Sequence, residues 1–155
     1  MPLMRSMVLS FPDQPEVWPF ELQYMLGDSL LVVPVLREGG KVRYRLPEGL
    51  WHDLWTGKSV QGGRTVEDVV PLDRIPVFVR DGAVLKLGPA VSHTGEIEEG
   101  RRIAAVAVFG AATEVSCSYD DEVAFENGHI VPAAHVRVLQ PEQIQEFLFA
   151  GGNIC

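Results

Sequence analysis

The sequence predicts a mainly β protein, an antiparallel sandwich or barrel, and three observations carry that prediction. From Leu30 to Leu87 six short runs rich in β-branched and aromatic residues follow one another: LLVVPVL, VRYRL, WHDLW, TVEDVVPL, PVFVR and AVLKL. Between them stand REGG, PEG, TGKSVQGG and DG, where the tolerance of glycine for positive φ gives the chain a physical reason to turn. Past residue 100 the runs RIAAVAVFG, TEVSCSYD, EVAFENG, HVRVLQ and IQEFLFA resume the pattern, several alternating apolar with polar as half-buried antiparallel strands do. Strands with turns this close together fit the spacing rule for all-β domains.

The elements follow in order. PLMRSMVLSFP, residues 2–12, is apolar except at Arg5 and stops at Phe11 and Pro12, so residues 2–10 read as one strand buried on both faces, as in a parallel sheet or barrel. DQPEVWPFELQYMLGD, 13–28, reads as a loop and a short helix. Phe20, Tyr24 and Met25 recur there at helical spacing, and Gly27 is placed to end the turn. GPAVSHTGEIEEG, 88–100, loses hydrophobic period and gains glycines and acids, the composition of an inter-domain connection. The five runs beyond it are few for a sandwich that closes alone. FAGGNIC, at 149–155, is too short and glycine-rich for another strand.

A length of 155 residues suits one ordinary domain or two small ones. The 46% hydrophobic and 22% charged shares are those of a folded globular chain. A formal net charge of −8 repels phosphate backbones and anionic lipid, which argues against nucleic-acid and membrane partners. No basic and apolar leader opens the chain, and no apolar stretch reaches the roughly 20 residues of a membrane span. Cys117 and Cys155 lack metal or redox spacing, so no metal or cofactor is expected, and a reducing, cytoplasmic setting fits.

Chemistry-bearing motifs are sparse. TGKS at 56–59 has the GKS of a phosphate loop without its first glycine or a following helix, and a polar β-turn is the simpler reading. His52, His93, His129 and His135 are scattered among turns and strand ends, with no serine elbow to serve. Asp13, Glu16, Glu21, Asp28, Asp53 and Asp73 are numerous, but spacing singles out no carboxylate pair of the kind glycoside hydrolysis needs. The best local binding candidate is LPEGLWHDLWTG, residues 46–57. Trp51, Asp53 and Trp55 share one face if the segment is extended, and two indoles with Asp53 and His52 could hold a sugar ring. Large aromatics beside glycine turns are also what a sandwich core requires, and their usual burial favours the core.

The order of the segments carries more than any one of them. MRSMVLSFPDQP, QYMLGDSLLVVPVL, LPEGLWHDLWTG and VPLDRIPVFVRDGAVLKLG, together spanning roughly 2–88, resemble the C-terminal part of glycoside hydrolase family 31, the α-glucosidase and α-xylosidase family. The opening segment is most similar to the bacterial α-xylosidase branch, and FGAATEVSCSYDD is weakly similar to its distal region. The resemblance implies three parts: residues 1–28, ending the catalytic (β/α)8 barrel with its last strand; a proximal β-sandwich over 29–88; and a distal β-domain over 89–155 that is expected to be truncated.

The resemblance also implies a retaining mechanism with an aspartate nucleophile and an aspartate acid/base. Both stand on barrel strands that precede the matched segments, so no catalytic residue is carried over and the chain alone is expected to be inert. Arg5 and Asp13, at the ends of the barrel strand, would approach a sugar site only in a complete enzyme; ion pairing and turn capping are their simpler roles. The expected partner is the catalytic barrel of the same enzyme, with an α-linked xylo- or gluco-oligosaccharide as ligand. The alternative is a free-standing carbohydrate-binding module using Trp51, Asp53 and Trp55. Bare of barrel partners, residues 2–10 are expected to promote self-association.

Overall fold

A computed structural model describes residues 2–71, 73–97, 102–110, 123–126, 129–150 and 153–154. The chain forms two compact units, one of residues 1–54 and 58–80, the other of 55–57 and 81–155.

The first unit contains β1 (Met4–Ser6), the one-turn helix α1 (Met7–Ser10), β2 (Tyr24–Leu26), β3 (Leu30–Val32), β4 (Lys41–Arg45), β5 (Leu50–Asp53), β6 (Ser59–Gln61), β7 (Thr65–Val69) and β8 (Val77–Arg80). Six of these strands make an open antiparallel sheet in the order β1-β2-β3-β8-β5-β6. The remaining two, β4 and β7, form a separate antiparallel ribbon in which Arg43 stands opposite Glu67. Burial alternates along β4, and its inward Val42 and Tyr44 join Met25, Leu31, Trp51 and Phe78 of the sheet in one core. The Tyr44 and Phe78 rings lie 5.2 Å apart. Sheet and ribbon are therefore the two layers of a sandwich, and no barrel closes among the described residues.

Several elements differ from the sequence expectation. Residues 2–10 divide into β1 and α1, and β1 pairs antiparallel with β2. Phe11 N–H donates to the Met7 carbonyl (2.9 Å), closing the turn before Pro12 ends it. Within the segment Met7 is buried, while Leu3, Met4, Val8 and Leu9 are exposed, so it is not buried on both faces. The helix expected around Phe20 is absent: Pro15–Val17 makes a single 3-10 turn and Tyr24–Leu26 extends as β2. Sheet pairing at 24–26 and a buried Met25 prevail there over a helical spacing only one turn long. Strand β3 stops at Val32, two residues before Pro34, which has no N–H to give a ladder.

The second unit holds β9 (Val84–Gly88), β10 (Ala105–Val108), β11 (Val123–Glu126), β12 (His129–Pro132), β13 (Arg137–Leu139), the helix α2 (Ile144–Phe149) and β14 (Asn153–Ile154). A four-stranded sheet runs β13-β10-β9-β14, and β11 pairs antiparallel with β12. Its core includes Ile103, Val106, Val123 and Val136.

Three expectations change in this unit. IQEFLFA is a helix, because Ile144 and Phe147 lie three apart on one buried face and the preceding turn begins at Pro141 with a Gln140–Gln143 capping box. The β13 run pairs parallel with β10. Asn153 and Ile154 pair with Gly88 and Leu87, so the glycine-rich end does contribute a short strand. TEVSCSYD, Cys117 and Cys155 lie outside the described residues.

Gly40 joins the ribbon to the turn before it. Its φ is +72°, its carbonyl accepts from Val70 N–H (2.9 Å), and a Cβ on it would run into the Val70 carbonyl. Gly40→Ala is expected to cost about 2 to 4 kcal/mol, the left-handed backbone adding to the clash. Urea unfolding should show a lower midpoint at an unchanged slope.

Candidate functional site

Two places in the first unit concentrate the residues singled out by sequence. The first is the β5–β6 hairpin. Trp51 is 1% exposed, and its Nε1–H donates to the Pro47 carbonyl at 3.0 Å, satisfying the one polar atom of the indole. The Phe11 ring meets it edge-on, with centroids 6.4 Å apart. Arg80, opposite Trp51 in the β5–β8 ladder, lays its guanidinium 5.7 Å from the Trp51 ring and 5.3 Å from that of Phe11. The indole is thus enclosed by its own unit.

The strand ends at Asp53, and residues 54–56 turn. The extended geometry that would put Trp51, Asp53 and Trp55 on one face therefore does not reach Trp55. Asp53 is half-buried in the first unit; Trp55, also half-buried, belongs to the second. His52 is buried, 8% exposed, in β5.

The second place is the segment β1–α1. Arg5, whose side chain is 10% exposed, donates from Nη2 to the Gly27 carbonyl (2.6 Å) and pairs with Asp28. Gly27 N–H in turn donates to the Leu3 carbonyl (2.8 Å). Arg5 therefore anchors β1 to the β2–β3 turn, while Asp13 is exposed in a turn. Around this anchor lies the bare apolar row: Leu3 is 69%, Met4 58%, Val8 45% and Leu9 66% exposed.

Two residues that the sequence did not single out matter for the architecture. Gln23, 3% exposed, donates from Nε2 to the Arg45 carbonyl (2.8 Å) and accepts at Oε1 from Arg45 N–H (2.9 Å), so one amide occupies both main-chain groups of a β4 residue. Its only signal is a lone polar residue between Leu22 and Tyr24. The other is Arg80, which sequence presents as a charged strand end. Among the described residues no group of three or more His, Cys, Asp or Glu is placed to hold a metal ion. Among them, too, no helix is long and apolar enough to cross a membrane.

The class defined by these features is a mainly β, largely antiparallel module of two units, its first a six-stranded sheet faced by a ribbon. Residues 1–85 match the model of the glycosyl hydrolase family 31 C-terminal domain, and the chain belongs to that family. It is similar to an alpha-xylosidase of Saccharolobus solfataricus, 42% identical over 97 residues that cover 61% of this chain and 13% of that protein. Neutral alpha-glucosidase C of Homo sapiens is 36% identical over 133 residues, 83% of this chain and 15% of that one. Among solved structures, a GH31 dextranase of Flavobacterium johnsoniae superposes with a TM-score of 0.64 at 28% identity, over 71% of this chain and 14% of its own. The chain thus spans between an eighth and a sixth of the length of these relatives.

Two outcomes follow for the core. Trp51→Ala should cost about 3 to 5 kcal/mol, the range for emptying a buried aromatic site, and chemical unfolding should show it as lost stability. Tyr44 gives a pH signature, since burial, aided by the Asp68 and Asp53 charges and opposed by Arg64, pushes its phenol up to about 12. The unfolded value is about 10. The folded state therefore prefers the neutral phenol, and the associated stability is complete below pH 10 and is lost as pH rises through about 12. Tyr44→Phe should flatten that part of the stability-against-pH curve.

Proposed function

We propose that this chain is the C-terminal accessory region of a retaining α-glycosidase, of α-xylosidase or α-glucosidase type, that braces a catalytic (β/α)8 barrel and is inert alone. The observation that carries this reading is the row Leu3, Met4, Val8 and Leu9, exposed within the span that matches the family model. Apolar surface of this kind on a soluble domain marks an interaction face. Covering four side chains that are each about half exposed would contribute on the order of 5 kcal/mol, a large increment beside the stability of a typical domain. The names of the relatives, alpha-xylosidase and neutral alpha-glucosidase, support the substrate class. The sugar-binding alternative gains nothing from Trp51, whose ring is enclosed by Phe11 and Arg80.

The purified chain should release no chromophore from aryl α-xylosides or α-glucosides above the buffer rate. Turnover that disappears on substituting one of the chain's own acids would overturn the proposal. Without the barrel the apolar row should drive association: sedimentation should report dimers or larger species, and Leu9→Glu with Val8→Glu should shift the population toward monomer. A wild-type chain monomeric at high concentration would remove the basis for a docking face.

A further inference from the structure

The β4–β7 ribbon has an open edge, and the chemistry around it is opposite in sign to the rest of the chain. Hydrogen bonds fix which edge it is. In an antiparallel ladder, alternate residues point their N–H and C=O toward the partner strand and away from it. Gly40 bonds toward Val70, and Arg45 bonds away from β7, both its main-chain groups going to Gln23. Even-numbered positions of β4 therefore face β7, and Lys41 and Arg43 turn their main-chain N–H and C=O outward with Arg45. Among the described residues neither Lys41 nor Arg43 has a hydrogen-bond partner for these outward groups. Gln23 thus already occupies one step of this edge as an added strand would, and the next two steps are vacant.

Beside the vacant steps lies a groove of about 370 Å³ lined by the 16–23 segment, by 33–37 and by β4. Four cations line it, Arg37, Lys41, Arg43 and Arg45, out of 13 in a chain of net charge −8. Two acids, Glu16 and Glu21, also line it and Glu67 pairs with Arg43, which leaves the four cations in excess by one. Arg43 pairs with Glu67 at 3.2 Å and covers the Phe20 ring at 5.5 Å. Arg37 and Lys41 have no ion-pair partner among the described residues. The wall also exposes Leu22 (56%) and Leu36 (69%).

Natural edge strands are commonly blunted by lysine, by proline or by a covering segment. Here the covering is partial. Gln23 closes the edge at Arg45 and leaves it open where apolar and cationic side chains flank it. A small anion would use the charges and leave the main-chain groups unmet. An extended polypeptide uses both, through ladder hydrogen bonds for affinity and alternate side chains for specificity.

We propose that this edge receives an extended acidic peptide segment of another polypeptide as an added β-strand, its carboxylates meeting Arg37, Lys41 and Arg43 and its apolar side chains meeting Leu22 and Leu36. The proposal is independent of the barrel-bracing reading, because it concerns the ribbon and not residues 3–9.

The test titrates the full 155-residue chain into a fluorescein-labelled peptide alternating Glu and Val over seven residues, followed by anisotropy. Saturable binding is expected, weakened at least tenfold when alternate peptide nitrogens are methylated so that ladder bonds cannot form. It should be absent when Lys replaces Glu in the peptide. Lys41→Glu combined with Arg43→Glu should lower affinity at least tenfold with the circular dichroism spectrum unchanged. Should that variant fail to fold, the methylated and lysine peptides decide the matter on the unmodified protein. No saturable binding, equal binding of the methylated peptide, or equal binding of the lysine peptide would each overturn the proposal; the second would reduce the groove to a non-specific anion patch.

Discussion

The first unit depends on the burial of one indole. Trp51 removes from water an area worth about 4 to 6 kcal/mol at the usual coefficient, taking 150–250 Å² for an aromatic side chain. Its position explains why that burial organises so much. The ring meets Phe11, which closes the α1 turn; its Nε1–H is held by Pro47 at the start of the hairpin; Arg80 at the end of β8 covers both rings. Three segments far apart in sequence thus converge on one side chain. The hydrogen bond to Pro47 matters for a separate reason, since a buried N–H left unpaired would cost about 1 to 3 kcal/mol. The same turn is fixed again by Gln14 Oε1, which accepts from Glu48 N–H at 2.8 Å.

What the sequence made legible followed from period and punctuation. The β-branched and aromatic runs marked the strands, VRYRL among them, and the glycine-bearing turns marked where strands end, so the antiparallel sandwich could be read directly. The order of the family segments was legible too, because it depends on many weak matches and not on one motif. Short apolar runs were where reading failed. IQEFLFA does not alternate; its buried Ile144 and Phe147 stand at i, i+3, and the capping box before it adds to the case for helix. PLMRSMVLSFP carries no period at all, so its division into β1 and α1 was invisible without knowing that Arg5 would be claimed by Gly27 and Asp28.

The candidate site was legible only in part, for a geometric reason. Trp51, Asp53 and Trp55 share a face only while the chain stays extended, and the strand stops at Asp53. Sequence spacing gives side-chain direction only within one element, so a turn two residues earlier than expected dissolves the constellation. Arg80 and Gln23 illustrate the complementary blind spot. Each acts through contacts with residues far along the chain: Arg80 covers rings from positions 11 and 51, and Gln23 grips a main chain 22 residues away. No local pattern announces such roles.

The six-stranded sheet is chemically asymmetric at its two edges, and the proposed docking rests on that asymmetry. At one end β6 is short and presents exposed Ser59 and Gln61, polar residues that discourage further pairing. At the other end β1 is equally short, but Met4 on it and Leu3, Val8 and Leu9 beside it are exposed and apolar. A sheet built to stand alone would protect both ends alike. Arg5 sharpens the contrast, because its own side chain is largely covered and is held by the Gly27 carbonyl and Asp28, and so it anchors β1 without adding its charge to the exposed surface of the strand. The arrangement fixes the position of the edge strand while leaving its surface apolar, as a preformed docking face requires. Rigid presentation lowers the ordering cost of association, so the same residues can contribute more of their burial to the contact.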